Sequence, residues 1–239
     1  MYSENTSMDE ILPQRTLEDI YISGVPETSA NFPEDLELAG SNVEYIRTLL
    51  QKGLASGKEV EGHIDRKNNG FKYSSLNAGG PQSILPLGSY ARAYFGSPAF
   101  IYAHSHPEVA PAFPSQDDIK VFSSLPKSAE VFAITSKQNT LLICQTEETN
   151  GIPLSAVVRG LVRYSDGIKK AQEAVHEVAN ESMGNLTAKQ IQELFNQNKE
   201  EVTRIYGQKI AEYLISKGYV LYEFEGNIIE EPSPVFKKI

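Results

Sequence analysis

The sequence predicts an α/β fold in which a mixed sheet is flanked by helices. Apolar residues recur at three- and four-residue steps over 43–54, which is typical of an amphipathic helix with one buried face. Short β-branched and aromatic runs follow at 99–103, 129–135 and 140–144, and each is typical of a buried strand. The order of helix, strands, helix and strands therefore indicates one α/β domain of roughly 130 residues.

The chain changes character at two places, which divides it into three segments. Residues 1–33 are polar and acidic with scattered proline and glycine, and they are predicted to form an N-terminal arm. Residues 34–153 are predicted to form the α/β domain. Residues 154–239 are predicted to be a mainly helical extension that ends in a strand, with helices beginning at Asp166 and Thr187.

Capping and turn residues mark the bounds of several elements. Ser41 is the predicted N-cap of the first helix, and Gly57 is its predicted end. Gly218 is predicted to end the last long helix for the same reason. The strand predicted over 58–65 is expected to return as a hairpin through the Asn-Gly dipeptide at 69–70, because that dipeptide supplies the positive backbone angles of a tight turn.

The composition argues against several classes of function. With 239 residues, of which 40% are hydrophobic, the chain can bury a substantial core. A net charge of -9 and a pI of about 5.1 disfavour nucleic acid as a partner. The N-terminus lacks signal-peptide character and no apolar stretch is long enough to span a bilayer, so we expect a cytoplasmic protein. The only cysteine, Cys144, lies in an apolar run and is predicted to be a buried, inert thiol.

Two histidines one residue apart follow the strand predicted over 99–103. Side chains alternate between the two faces of a strand, so His104 and His106 are expected to point to the same side, a few ångströms apart. Two imidazoles placed in this way can bind one metal ion. Histidines in strands are also often satisfied polar residues, so the pair alone leaves a purely structural role open.

A helix is predicted to begin shortly after the histidines. Prolines keep residues 107–114 out of helix, and Ser115 and Asp118 then form the Ser-x-x-Asp pattern of a capped helix N-terminus. Asp118, in the first turn, can complete a set of two histidines and one carboxylate. Such a set leaves one position of a tetrahedral zinc ion open for water, as catalytic zinc sites do. A plain capping pair is the alternative interpretation of Ser115 and Asp118.

Acidic residues lie in the strand that precedes the histidine strand. Glu59 and Glu61 share one face of the strand predicted over 58–65. On a solvated face they would have no special role, whereas beside the histidine strand one of them becomes a candidate general base for a metal-bound water. The glycine- and proline-rich connection over 74–98 is predicted to be a loop that forms a wall of a substrate groove.

The glutamate, the His-x-His pair and the Ser-x-x-Asp pattern, in this order, resemble the motif of the JAB/MPN metalloprotease family, also called JAMM. The resemblance covers about residues 40–146 and includes the Glu-x-x-Gly sequence that begins at Glu59 and the prokaryotic-type Pro-Ser-x-x-Asp-Ile sequence at 114–119. It implies a JAB/MPN-like, cytidine-deaminase-like mixed sheet flanked by helices. It also implies a hydrolase that cleaves a peptide or isopeptide bond.

The resemblance implies a role for each candidate residue. His104, His106 and Asp118 are the implied zinc ligands, and Glu59 is the implied general base. Ser115 is implied to stabilise the tetrahedral intermediate. The implied substrate is a protein or peptide, and the family's habit points to the flexible C-terminus of a ubiquitin-like protein bound as an extended strand along a sheet edge.

Several alternatives remain open beside this assignment. The loop over 107–114 is one residue longer than is usual in the family, so Asp117 is an alternative ligand, and Glu61 is the reserve candidate for the general base. The chain can instead be an inactive JAB-fold interaction scaffold or a RadC-like member with a different substrate. An amidohydrolase-type barrel is disfavoured, because it needs eight βα units and further histidines, and only His63 and His176 remain.

Overall fold

The computed structural model describes residues 15–21, 28–67, 70–78, 99–107, 112–114, 118, 130–151 and 199–239. These residues form one mixed β-sheet with helices packed on both faces. The strands are β1 (Asp35–Leu36), β2 (Val60–Lys67), β3 (Gly70–Tyr73), β4 (Asn77–Ala78), β5 (Ala99–Ser105), β6 (Val131–Thr135), β7 (Asn139–Cys144), β8 (Val220–Glu225) and β9 (Phe236–Lys238). The helices are α1 (Leu17–Ile20), α2 (Gly40–Ser56) and α3 (Lys199–Ile215), with 3-10 turns at Ser29–Asn31 and Glu147–Gly151.

The strands lie in the order β1-β9-β8-β7-β6-β5-β2-β3, and β4 pairs with β2. Neighbouring strands run antiparallel with one exception among the named strands, the parallel pair of β5 and β6. Two parallel strands need a crossover connection between them, because the chain has to return to the edge at which the first strand began. Asp118 lies on this connection. The mixed α/β class predicted from the sequence is confirmed.

The sheet carries an apolar cluster on each face. Strand β6 illustrates the division, since Val131 and Ala133 pack in the cluster that includes α1 and α2, whereas Phe132 and Ile134 pack in the cluster that includes α3. Every residue of β6 and of β7 is buried. A strand buried on both faces has no polar side to show, which explains why both segments are nearly continuous apolar runs in the sequence.

Helix α2 begins differently from the prediction. Ser41 is not its N-cap, because the helix starts at Gly40 and Ala39 occupies the cap position without a side-chain hydrogen bond. The carboxylate of Glu18, on α1, takes over this role. It accepts hydrogen bonds from the Ala39 N–H (3.1 Å) and from the Asn42 side-chain amide (2.5 Å). A carboxylate brought from another helix thus satisfies donors at the N-terminus of α2 and favours its dipole.

Both predicted glycine ends of helices agree with the structure. Gly57 is the C-cap of α2 with a left-handed φ of 62°, and Gly218 follows α3 with a φ of 91°. A side chain at a positive φ is strained, so glycine is the residue that ends a helix in this way. The predicted helix starts at Asp166 and Thr187 lie outside the described residues. No described helix combines the length and the apolar character that crossing a membrane requires.

The hairpins agree with the prediction apart from small shifts of their bounds. Strand β2 starts at Val60 rather than at residue 58 and pairs antiparallel with β3, so that Lys67 lies opposite Gly70. Strands β6 and β7 form the second predicted hairpin. The shift at the start of β2 leaves Glu59 just outside the strand.

Both ends of the chain are more closely joined to the domain than the division at residues 33 and 153 suggests. Leu17, Ile20 and Tyr21 of the predicted polar arm are fully or almost fully buried in the apolar cluster on the α2 side. Strands β8 and β9 of the predicted extension continue the sheet beyond β7. The sheet therefore includes strands on both sides of the predicted boundary at residue 153, and the apolar core includes residues on both sides of the boundary at residue 33.

Candidate metal centre

The two histidines lie at the carboxyl end of β5. His104 is paired in register with Glu61 on β2 and with Ile134 on β6. The His106 N–H donates a hydrogen bond to the Thr135 carbonyl oxygen (2.8 Å), which continues the pairing of β5 with β6 past the end of the strand. Both imidazoles consequently lie on the same face of the sheet, with ring centroids 4.9 Å apart.

Asp118 brings a carboxylate to the two imidazoles. This residue is in helical conformation, and its Oδ1 lies 3.0 Å from His104 Nε2 while its Oδ2 lies 3.5 Å from His106 Nε2. The two Nε2 atoms are 3.0 Å apart. His104 and Asp118 are each only 5% exposed. Within the described part of the chain, these three side chains form a group that can hold a metal ion.

The spacing of the donor atoms fits a tetrahedral metal site. Zinc binds imidazole nitrogen and carboxylate oxygen at about 2.0–2.2 Å, so two ligand atoms of a tetrahedral site lie about 3.3 Å apart. The distances between donor atoms here, from 3.0 to 3.5 Å, scatter around that value.

The neighbouring histidines favour the charged form of Asp118. Burial alone would raise the pKa of Asp118, but the charge and hydrogen bonds of His104, and then those of His106, outweigh it and hold the pKa well below the ordinary value. Asp118 is therefore an anion at neutral pH. A carboxylate ligand has to be deprotonated to bind a metal, so the site is prepared for a cation.

Of the two candidate bases, Glu61 lies on the face of the sheet that carries the histidines, because it is opposite His104. Extending the same register by two residues would bring Glu59 to the level of His106. Glu61 is only 2% exposed, so of the two alternatives left open by the sequence it is not on a solvated face, and its Oε2 accepts a hydrogen bond from the Tyr102 hydroxyl. Glu59 precedes the strand and is half-buried.

Aromatic rings pack beside the first histidine. Tyr102 stacks on Phe132 with ring centroids 5.6 Å apart, and His104 packs on the same phenyl ring at 5.1 Å. These contacts restrict the rotation of the His104 ring. They also surround the donor atoms with apolar groups, which strengthens electrostatic interactions inside the site.

The residue between the two histidines faces the opposite side of the sheet. Ser105 Oγ accepts a hydrogen bond from the Val60 N–H (3.0 Å), and a Cβ atom at Gly53 of α2 would overlap that hydroxyl. This contact fixes the start of β2, and therefore Glu59, relative to the histidines. The sequence reasoning missed it, although the alternation that aligns the histidines also places Ser105 on the helix side.

The glycine of the Glu-x-x-Gly sequence has a steric role. The Tyr45 hydroxyl crosses over Gly62 to reach Ser74 Oγ (2.9 Å). A Cβ atom at Gly62 would overlap the Tyr45 hydroxyl and lie 2.8 Å from the Leu76 Cδ2 atom. Glycine at this position therefore allows α2 to pack closely on β2.

The remaining predicted residues are His63, Ser115, Asp117 and His176, and the structure describes only the first of them. His63 lies on β2, where its Nε2 is 3.7 Å from Asp65 Oδ1. Ser115 and Asp117, the predicted intermediate-stabilising residue and the alternative ligand, lie outside the described residues. His176 lies outside them as well.

The prediction for the single cysteine is confirmed. Cys144 is completely buried at the end of β7. Burial raises the pKa of its thiol far above the ordinary value, and a hydrogen bond with Tyr21 lowers it to a smaller extent. The thiol stays protonated at neutral pH, so cysteine nucleophile chemistry does not fit this residue.

Comparison of the chain with protein-family models, with curated proteins and with solved structures found no match. The assignment of the metal centre accordingly stands on the arrangement of His104, His106 and Asp118.

Proposed function

We propose that this chain is a zinc-dependent metallopeptidase of the JAB/MPN type, which hydrolyses a peptide or isopeptide bond. The observation that carries the proposal is the convergence of two imidazole nitrogens and one carboxylate at the spacing of a tetrahedral site. Imidazole and carboxylate are ordinary ligands of catalytic zinc, and three protein ligands leave the fourth position for water or substrate. The JAB/MPN-type fold and the identity of the metal are parts of this proposal.

The protein's own groups have separate tasks in this mechanism. Zinc, when bound by His104, His106 and Asp118, acts as a Lewis acid and lowers the pKa of a bound water to about 7. Glu59 accepts the proton of the attacking water on its carboxylate and delivers it to the leaving amine. No side chain attacks the substrate, so no covalent enzyme intermediate forms. Glu61, whose carboxylate accepts a hydrogen bond from Tyr102, is the alternative base.

The proposed substrate is a protein chain with an extended, flexible end. An extended segment can add to the edge of a sheet through main-chain hydrogen bonds, and the C-terminus of a ubiquitin-like protein has this form. Strands β3 and β4 both pair with β2 at this edge of the described sheet, and β4 lies nearer Glu59, because it pairs with Val60 and Glu61. This neighbourhood supports a substrate strand along that edge.

Metal binding is the first test of the proposal. The purified protein is treated with chelator and titrated with zinc and, separately, with iron(II), because two histidines and one carboxylate also suit non-haem iron. We expect one zinc ion per chain, and a loss of affinity of more than about 100-fold in His104→Ala and Asp118→Ala. His63→Ala is the matched control, since this histidine lies on the neighbouring strand outside the group. A wild type that binds no zinc, or that retains only iron, would contradict the proposal.

Cleavage of linked ubiquitin-like conjugates and of unmodified peptides is the second test. Glu59→Gln should keep zinc and lower kcat by at least about 100-fold, because it removes a general base without removing a ligand. If Glu61→Gln lowers kcat by this factor and Glu59→Gln keeps its activity, then Glu61 is the general base. Zinc binding without cleavage of any conjugate or peptide would favour the interaction scaffold over the enzyme.

A further inference from the structure

The connection between the second histidine and Asp118 is fixed at its midpoint. Ala112, Phe113 and Pro114 are described residues near the middle of this stretch, and all three are buried. The Ala112 N–H donates a hydrogen bond to Asn139 Oδ1 (2.5 Å). Asn139 is the first residue of β7 and belongs to the tight turn of the β6–β7 hairpin, so the sequence gives it only the ordinary role of a turn residue.

The Asn139 side chain uses both of its polar groups. Its Oδ1 also accepts a hydrogen bond from the Ser136 hydroxyl (3.0 Å), and its Nδ2 donates to Glu223 Oε1 (2.5 Å). A backbone N–H can only donate and a carboxylate can only accept, so Ala112 and Glu223 together determine which way the carboxamide is turned. Asn139 is only 4% exposed, so losing one of these partners would leave a buried polar group unsatisfied.

Helix α3 contacts the same stretch at Phe113. A Cβ atom at Gly207 would overlap the Cβ and Cγ atoms of Phe113 and lie 3.0 Å from its Cδ1. The absence of a side chain at Gly207 therefore lets the helix approach the connection closely. Both α3 and β8, which carries Glu223, belong to the C-terminal part of the chain.

We propose that Asn139 is a positioning residue of the metal centre. Its carboxamide, oriented by Glu223, holds the stretch at Ala112 and thereby sets the approach of Asp118 to the two histidines. The C-terminal part of the chain thus contributes to metal affinity, although none of its described residues belongs to the ligand group. This inference rests on the proposed zinc site.

The physical reason is the entropy of the connecting stretch. A connection that is free to move samples many arrangements, and metal binding has to select the one in which Asp118 meets the histidines. A connection fixed at its midpoint has lost that freedom before the metal arrives. Substitution of residues that orient metal ligands commonly lowers metal affinity by about 10- to 100-fold, and we expect a loss in this range.

The test exchanges the two partners of the Asn139–Glu223 hydrogen bond. Asn139→Asp brings two carboxylates together and should weaken zinc binding at least about tenfold, as measured by competition with a chelator. Adding Glu223→Gln restores one amide and one carboxylate with their positions exchanged. The carboxylate that the first substitution introduces can still accept from the Ala112 N–H, so the double variant should return to within about threefold of wild type.

Thr146→Val is the matched control for a general loss of stability. The Thr146 hydroxyl donates to the Gly218 carbonyl oxygen (2.6 Å) and so joins the end of the hairpin to the C-terminal part without contacting Ala112. It should destabilise the metal-free protein and leave zinc affinity unchanged. If Asn139→Asp does not fold, Glu223→Ala provides the test. It keeps the bond to Ala112 but releases the carboxamide, and it should weaken zinc binding about threefold.

The outcomes separate this inference from the proposed function. If wild type binds zinc and a folded Asn139→Asp variant binds it with equal affinity, the proposed role of Asn139 is overturned and the zinc site stands. Failure of the double variant to recover, or an equal loss of affinity in Thr146→Val, would overturn it as well. Wild type that binds no zinc would overturn both the site and the inference.

Discussion

Replacement of Gly53 by alanine should destabilise the protein, although alanine is the better helix former. In the last turn of α2 the exchange gains at most about 1 kcal/mol of helix propensity. A Cβ atom at this position would overlap the Ser105 hydroxyl and lie 3.1 Å from Ser105 Cβ and 3.4 Å from the Lys58 carbonyl oxygen. If the hydroxyl moves away, the buried Val60 N–H loses its acceptor at a cost of about 1–3 kcal/mol, and overpacking costs about 1–3 kcal/mol more. The net expectation is a loss of about 1–5 kcal/mol.

A double-mutant cycle measures this overlap directly. Unfolding by denaturant is followed by far-UV circular dichroism in the presence of chelator, because the chain has no tryptophan and bound metal would add its own stabilisation. Ser105→Ala alone removes the acceptor of the Val60 N–H. In that background Gly53→Ala should cost much less than in wild type, because only the weaker contacts with the Cβ atom of residue 105 and the Lys58 carbonyl oxygen remain. Gly40→Ala is the matched control, since a Cβ atom at Gly40 meets nothing within 4 Å. A Gly53→Ala variant as stable as wild type, or one with the same cost in the Ser105→Ala background, would refute the reasoning.

Two further predictions concern β2 and its neighbours. Gly62→Ala should destabilise the fold by about 2 kcal/mol through overlap with the Tyr45 hydroxyl. Adding Tyr45→Phe should recover part of this loss, as measured by denaturant unfolding. If the effects of the two substitutions simply add, the overlap is contradicted. Burial raises the pKa of Glu130 from 4.5 to about 7, against the opposing effect of Arg66, so the folded state holds this proton more tightly than the unfolded chain. The stability that the protonated Glu130 contributes is present below pH 4.5 and is lost as pH rises through about 7. Over this range the free energy of unfolding of wild type should therefore fall by about 1–3 kcal/mol relative to that of Glu130→Gln. A constant difference between the two proteins across that range would refute this assignment.

The histidine pair shows what the sequence can predict about the site. Alternation along a strand is a property of neighbouring residues, so His104 and His106 share a face wherever β5 lies in the sheet. The approach of Asp118 does not follow from such a local pattern, because the distance between a strand end and a later helical residue depends on the whole connection. It is anticipated only from the order of the motif. The burial of Glu61 is not predictable in the same way, since it depends on Tyr102 of the neighbouring strand.

The strands at the ends of the chain show the same limit for the fold. The run that becomes β8 is recognisable as a strand, but the pattern that identifies a strand does not identify its neighbour in the sheet. Strand β8 pairs with β7, and β9 joins it to β1 near the N-terminus. These pairings are selected by packing between distant parts of the chain. The buried Asn139–Glu223 hydrogen bond exists because of the same pairing, and so it could not be read from the hairpin turn alone.

The direction of the strands explains why the site and its supporting residues meet at one edge of the sheet. Strands β5 and β6 are parallel, so both carboxyl ends lie at the same edge, and the connection that carries Asp118 leaves β5 at the edge where His106 lies. Strand β2 is antiparallel to β5, so its beginning, next to Glu59, lies at this edge too. Strand β7 is antiparallel to β6, so Asn139 at the start of β7 lies at this edge. Strand β8 is antiparallel to β7, so Glu223 near the end of β8 lies there as well. If β5 and β6 were antiparallel, β6 would end at the opposite edge, and Asn139 would be separated from the metal centre. The parallel orientation of this one pair therefore decides whether the C-terminal strands can support the site.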